Sequence, residues 1–116
     1  MEQTQANRSS LYVEVDPDLR DLFPSYLKKR LGELKSIEIL VSNNRLEVVE
    51  SIGHKLSGNA ALFGLDELGK KGHRLEQAAK ASNTALVLEL AYEMLIDLEQ
   101  VRLGPPVPPA PPALSK

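Results

Sequence analysis

The amino-acid sequence predicts an all-α protein, an antiparallel up-down-up-down four-helix bundle with a short extra helix at its N-terminal end. Apolar residues in the middle of the chain recur at intervals of three and four, which is the period of an amphipathic helix. Capping residues divide this pattern into segments joined by short turns, and short turns favour antiparallel neighbours. Aromatic residues make up only 4% of the chain and Trp is absent, so Leu and Ala must fill most of the core.

The first two predicted helices are separated by a proline. Asp16-Pro17 predicts a helix start, because aspartate is a good N-cap and proline suits the first helical position. This short helix is interrupted at Pro24, which itself opens a second helix that ends at the turn residues 42–44. The apolar stripe of the second helix consists of Tyr26, Leu27, Leu31, Leu34, Ile37 and Val41.

Three further helices complete the predicted bundle. The third covers residues 44–63, and Gly64 is expected to end it. The fourth covers residues 65–81, and a capping turn at 82–84 separates it from the last helix, residues 84–103. The third helix carries an apolar stripe of Leu46, Val49, Gly53, Leu56, Ala60 and Phe63. The last helix carries one of Val87, Leu90, Ala91, Met94, Leu95, Leu98 and Val101.

Composition predicts three parts of the chain around this single domain. Residues 1–12 are polar and aperiodic, which predicts a flexible N-terminal arm, and residues 13–103 form the bundle. Residues 104–116 are predicted to be a proline-rich tail or linker, since the run 104–112 holds six of the eight prolines and favours extended polyproline II. The alternative for this segment is a ligand for an SH3-type domain.

Charge and residue inventory exclude several classes of function. The 14 basic and 16 acidic residues give a net charge of −2, which excludes a mainly electrostatic nucleic-acid binder. The absence of Cys excludes disulfides, thiolate metal sites and cysteine nucleophiles. No apolar run approaches the ~20 residues needed to span a bilayer, and the polar start lacks a signal-peptide core. We therefore expect a cytoplasmic protein with no membrane partner.

Any chemistry that needs an imidazole depends on His54 or His73. His54 lies beside the apolar stripe of the third helix, with Glu50 one turn before it and Gly58 one turn after it. These neighbours predict a solvent-facing side chain, which an ordinary surface histidine would also have. Gly58 favours a functional interpretation, because glycine inside a helix costs about 1 kcal/mol relative to alanine and often indicates close approach of another molecule.

The residues after His54 form a small and flat surface. Ser57 and Ala61 continue the surface that Gly58 begins, and Leu62 lies beside them. Lys55 adds a positive charge next to the imidazole. A reactive imidazole with such a surface and a cation beside it suits an incoming protein that carries a phosphoryl group. The predicted docking residues are therefore Glu50, Ser57, Gly58, Ala61 and Leu62.

Helical rise predicts a partner for the imidazole on the fourth helix. His54 lies ten residues before Gly64 and Glu76 lies twelve residues after it. At about 1.5 Å per residue, both stand roughly 15–18 Å from the turn and reach the same level in an antiparallel pair. A carboxylate that accepts from Nδ1–H would orient the imidazole and leave Nε2 facing solvent. The alternative is that Glu76 pairs with Lys80 one turn further along.

The run HKLSGNAALFG at residues 54–64, followed by Leu75-Glu76, resembles the histidine-containing phosphotransfer (HPt) domain of two-component phosphorelays. The resemblance extends from Val15 to Leu103. It implies that His54 is the phosphorylated histidine and that Gly58 lets a receiver domain approach closely. It also implies that Glu76 hydrogen-bonds Nδ1 and that Lys55 stabilises the phosphoryl charge.

The sequence departs from this family at one position and leaves a second histidine to explain. Many members carry lysine three residues after the histidine, where this chain has Ser57. Lys55 is then the expected cation near the phosphoryl oxygens. Some chemotaxis-type members carry a histidine at the position of His73, one turn before the carboxylate, and we expect His73 to support the site or the fold.

The resemblance also implies partners and excludes an autonomous kinase. A response-regulator receiver domain, a sensor histidine kinase or both would exchange phosphoryl groups with the chain, which we expect to act as a monomer. The receiver would supply Mg²⁺, and the chain itself would bind no cofactor. The sequence has no glycine-rich loop to cradle a nucleotide, so we expect no self-phosphorylation from ATP.

The sequence leaves two other functions open. A metal-binding bundle would use Glu50, His54, His73 and Glu76 across two helices, but the paired Glu-x-x-His motifs of di-iron bundles are missing. A non-catalytic adaptor bundle would instead use the proline-rich segment as its ligand.

Overall fold

In the computed structural model, the described part of the chain is residues 11–103 and is dominated by helices. Residues 1–10 of the predicted arm (residues 1–12) and the proline-rich segment 104–116 lie outside the described residues. The elements in chain order are β1 (Leu11–Val13), a 3-10 helix (Pro17–Leu22), α1 (Phe23–Lys35), α2 (Ile37–Ser42), α3 (Leu46–Asn59), a 3-10 turn (Ala60–Phe63), α4 (Asp66–Lys80), α5 (Thr84–Gln100) and β2 (Val101–Leu103).

Within residues 11–103, the four longer helices form a bundle, which confirms the predicted all-α class. α3 packs against α4, α4 against α5, and α5 against α1. α1 also contacts α3, since the Tyr26 hydroxyl on α1 donates a hydrogen bond to the Asn59 side chain at the end of α3. The helices enclose a core whose largest fully buried side chains are Leu34, Ile37, Leu56, Leu75, Leu90, Met94, Leu98, Val49 and Val87. None of the helices in this part of the chain is both long and apolar enough to cross a membrane.

Three of the predicted capping and breaking residues lie at helix ends in the structure. The Asp16 carboxylate accepts a hydrogen bond from the Asp18 amide at 2.9 Å and starts the first 3-10 helix. Gly64 adopts a φ of 73°, a left-handed conformation that glycine tolerates without strain. The Asn83 side chain accepts from the Leu86 amide at 3.2 Å and caps α5. These local signals explain why the helix order was predictable.

Two predicted helices are less regular than their apolar periodicity indicates. The second one divides at Ser36, whose hydroxyl donates to the Glu33 carbonyl at 2.6 Å. Such bonding back to the preceding turn competes with the helical ladder and bends helices. The third one tightens into a 3-10 turn from Ala60 onward, just before Gly64 reverses the chain.

The ends of the described chain pair with each other, which sequence periodicity did not predict. Residues 11 and 12, expected in the arm, belong to β1, and β1 runs parallel to β2 with Leu11 opposite Val101. Helix α5 therefore ends at Gln100, three residues before the predicted end, because Val101 turns to extended backbone. Extended chains bury Val13 and Val101 while their backbone groups bond across the pair. The predicted domain boundaries stay predictions.

Candidate functional site

Close packing of α3 on α4 positions the candidate site. A Cβ added at Gly53 would lie 2.6 Å from the backbone nitrogen of Glu76 and from the carbonyl oxygen of Gly72. A Cβ added at Gly72 would lie 2.7 Å from the Cβ of Leu56. The two glycines therefore let the helix backbones approach more closely than any side chain would allow. Gly53 directly precedes His54, so this contact sets the distance from the imidazole to α4.

His54 projects from α3 into solvent beside a buried carboxylate. Its side chain is 75% exposed, whereas the side chain of Glu76 on α4 is only 11% exposed. The distance between His54 Nδ1 and Glu76 Oε2 is 3.3 Å, within reach of a hydrogen bond. The structure thus brings together the two residues that helical rise placed at one level. In the tautomer with a proton on Nδ1, Nε2 keeps its lone pair for chemistry.

Glu76 also lies close to two basic side chains of its own helix, Lys80 and His73. Lys80 Nζ lies 3.5 Å from Glu76 Oε2, so the carboxylate has the lysine contact and the His54 contact at the same time. His73 Nδ1 lies 3.9 Å from the other oxygen, Oε1. The sequence predicts Lys80 only as an alternative partner of Glu76, and its i,i+4 spacing from Glu76 is the signal that places it in the site.

Lys55 faces α1, where an ion-pair cluster lies. Its ammonium group is 3.8 Å from Glu33 Oε2, and Glu33 also pairs with Arg30 at 3.0 Å. Arg30 is 4% exposed, and its guanidinium carbon lies 5.1 Å from the centre of the Tyr26 ring. The sequence did not predict this cluster, because its members are on two helices that are far apart in the chain. Lys55 is half-exposed and adjacent to His54 in sequence.

Tyr26 anchors the same junction between α1 and α3. Its hydroxyl donates to Asn59 Oδ1 at 2.7 Å, and its ring stacks on Phe63 with centroids 4.1 Å apart. Burial raises the pKa of Tyr26 to about 12, although Arg30 opposes this effect. The tyrosine therefore stays protonated and ties the end of α3 to α1.

Four of the five predicted docking residues are exposed, and Glu50 is the exception. Ser57, Gly58, Ala61 and Leu62 are exposed, and Leu62 is the most apolar of them at 61% exposure. A Cβ at Gly58 would meet no atom within 4 Å, so no packing within the described chain requires a glycine there. Glu50 is half-buried.

Nothing in the described part of the chain has the arrangement of a metal site. Between residues 11 and 103, no group of three or more histidine, cysteine, aspartate or glutamate side chains could hold a metal ion. The four residues of the metal alternative fall within this range.

Comparison with protein families shows the family of the chain. The family model of the Hpt domain matches residues 18–104. The chain belongs to the Hpt family. The match covers the whole bundle, including His54, Glu76 and the helices that hold them. Comparisons with curated proteins and with solved structures found no match.

Membership of the Hpt family establishes the general role. Hpt domains carry phosphoryl groups on histidine in two-component phosphorelays, in exchange with receiver domains and histidine kinases. They are phosphotransfer carriers and not kinases. The resemblance inferred from the residues around His54 is therefore confirmed at the level of the family.

Proposed function

We propose that His54 accepts a phosphoryl group from a receiver-domain aspartate or a histidine kinase and passes it on to another partner. The observation that carries this proposal is the exposed imidazole with Nδ1 3.3 Å from the buried carboxylate of Glu76. An exposed histidine without such a partner would be free to rotate and to exchange tautomers. Glu76 restricts both and leaves Nε2 accessible to another protein.

The transfer step needs only the imidazole and carboxylate of this site and the phosphorylated aspartate of the donor. The Nε2 lone pair of neutral His54 attacks phosphorus in line, and the bond from phosphorus to the aspartate oxygen of the donor breaks. The donor carboxylate leaves with that electron pair, and a phosphorus–nitrogen bond forms. Nδ1 keeps its proton throughout, so the ring becomes positively charged. The carboxylate of Glu76 stabilises this charge, and return transfer reverses the same steps.

The chain supplies positioning, and the partner supplies most of the charge. We assign Mg²⁺ to the receiver, as the family resemblance implies, where it would neutralise the charge that develops on the transferred phosphoryl group. Lys80 contacts the carboxylate that holds the imidazole, and Lys55 follows His54 directly in the chain, and we assign both a supporting electrostatic role. We further propose that the chain acts as a monomeric carrier in the cytoplasm, with no kinase activity of its own.

Incubation with a phosphorylated receiver domain tests the proposal. The wild-type chain should gain one acid-labile phosphate, His54→Gln should gain none, and His73→Gln should still be labelled. His54 is exposed, so His54→Gln should retain the helical circular dichroism spectrum and the unfolding midpoint of the wild type. Labelling of folded His54→Gln would overturn the assignment of the phosphoacceptor.

A further inference from the structure

A groove between α3 and α4 borders the candidate site. Its volume is about 610 Å³, and its lining residues are Ser57, Ala61, Asp66, Gly69, Lys70, His73 and Arg74. Ser57 follows His54 on α3, Ala61 lies in the 3-10 turn after it, and His73 contacts the same carboxylate that holds the imidazole. The groove is therefore continuous with the surface on which we propose that the receiver docks.

The two walls of the groove differ in their side chains. The wall beside His54 presents Ser57, where many family members carry a lysine, and Ala61 of the following 3-10 turn. The α4 wall presents one acidic and two basic side chains, Asp66, Lys70 and Arg74, all exposed. Exposed cations on α4 therefore face the position at which this chain has Ser57 in place of a lysine.

The two cations differ in whether they have a partner. Lys70 Nζ lies 3.3 Å from Glu67 Oε2 on its own helix, so part of its charge is neutralised. Arg74 has no ion pair or hydrogen bond with any residue in the range 11–103. Its exposed guanidinium can therefore bind an external carboxylate without first breaking an internal contact.

We propose that this groove is part of the receiver-docking surface and that Arg74 selects receivers with an acidic side chain facing α4. The inference rests on the proposed function of His54. The receiver would place a small apolar side chain over Ala61 and Gly69, and its carboxylate would pair with Arg74. Such a pair at the edge of an interface acts mainly on encounter and partner choice, and little on the chemical step.

The test compares two charge reversals of equal size. Arg74→Glu changes the groove, and Lys35→Glu is the matched control. Lys35 is exposed in a different groove, between α1 and α5, on the opposite side of the bundle from α3 and α4. Each variant is titrated with the phosphorylated receiver that labels the wild type. The receiver concentration for half-maximal rate and the maximal rate of transfer are measured at low and high salt.

Arg74→Glu should raise the half-maximal receiver concentration about threefold to tenfold and leave the maximal rate within about twofold. Lys35→Glu should change neither value by more than about twofold, and Arg74→Lys should retain most of the wild-type behaviour. Added salt should weaken transfer to the wild type more than transfer to Arg74→Glu, because the variant lacks the screened pair.

Three outcomes would overturn the inference, and they can be told apart. Equal titrations for Arg74→Glu and Lys35→Glu, with an active wild type, would refute the docking role alone. A lower maximal rate with an unchanged half-maximal concentration would show that Arg74 acts on the phosphoryl group and not on docking. A wild-type chain that no phosphorylated receiver labels would refute the proposed function together with this inference.

Discussion

Replacing Gly53 with alanine should destabilise the bundle and disturb the site at the same time. The new Cβ would lie 2.6 Å from two backbone atoms of α4, whereas ordinary contacts begin at 3.4 Å. Backbone atoms of a packed helix cannot rotate away, so α3 and α4 must separate by about 0.8 Å at this level. The His54–Glu76 distance of 3.3 Å would then exceed the limit of a hydrogen bond, about 3.5 Å.

The size of the stability loss in Gly53→Ala follows from two opposing effects. Overpacking of a well-packed contact costs about 1–3 kcal/mol, and the higher helix propensity of alanine returns up to about 1 kcal/mol. Because both of the atoms at 2.6 Å are backbone, we take the upper part of the overpacking range, about 2–3 kcal/mol, and expect the free energy of unfolding to fall by about 1–2 kcal/mol for Gly53→Ala. A loss of this size lowers the melting temperature by at least about 4 °C in a domain of this length.

Gly32→Ala is the matched control, because a Cβ at Gly32 in α1 would meet no atom within 4 Å. That variant should gain about 0.5–1 kcal/mol from helix propensity alone. Urea unfolding followed by circular dichroism measures both variants, and phosphoryl transfer from a receiver is measured in parallel. If Gly53→Ala proved as stable as Gly32→Ala and transferred at the wild-type rate, the close approach of α3 and α4 would not be what positions the imidazole.

Two further predictions concern single contacts of the site. Glu76→Gln keeps an oxygen that accepts from His54 Nδ1 but removes the charge, so transfer should slow about tenfold, while Glu76→Ala should slow it up to about a hundredfold. Equal rates for the two variants in single-turnover transfer would show that the hydrogen bond contributes nothing. For Tyr26, the raised pKa means that the folded state favours the protonated ring. The wild type should therefore lose stability as pH rises from 10 to about 12, and Tyr26→Phe should lack this contribution when both are unfolded in urea across that range. If the free energy of unfolding fell equally for the wild type and Tyr26→Phe over this pH range, the prediction for Tyr26 would be refuted.

Local chemistry explains which parts of the fold were predictable. Asp16, Gly64 and Asn83 act through their own turns, since a cap or a left-handed residue depends only on its immediate neighbours. Helix order followed from these signals and from apolar periodicity. The break at Ser36 was missed, because apolar spacing continues through it while a hydroxyl bonds to the preceding turn.

The candidate site was predictable where it depends on distance along a helix. His54 and Glu76 were placed at one level by counting residues from Gly64, and the structure puts their side chains 3.3 Å apart. Lys55 shows what counting along one helix leaves out. Its side chain lies 3.8 Å from Glu33 on α1, a contact between residues far apart in the chain, and its role beside the phosphoryl group stays a prediction.

The sequence by itself determined the helices, their caps and the residue types available for chemistry, because these depend on interactions within a few turns of the chain. Only the tertiary structure decided which groups meet. The parallel pairing of β1 with β2, the contact of Gly53 with α4 and the placement of Arg74 in one groove with Ser57 all join residues far apart in the chain. Such contacts depend on how the helices rotate and how closely they approach, and side-chain packing sets both.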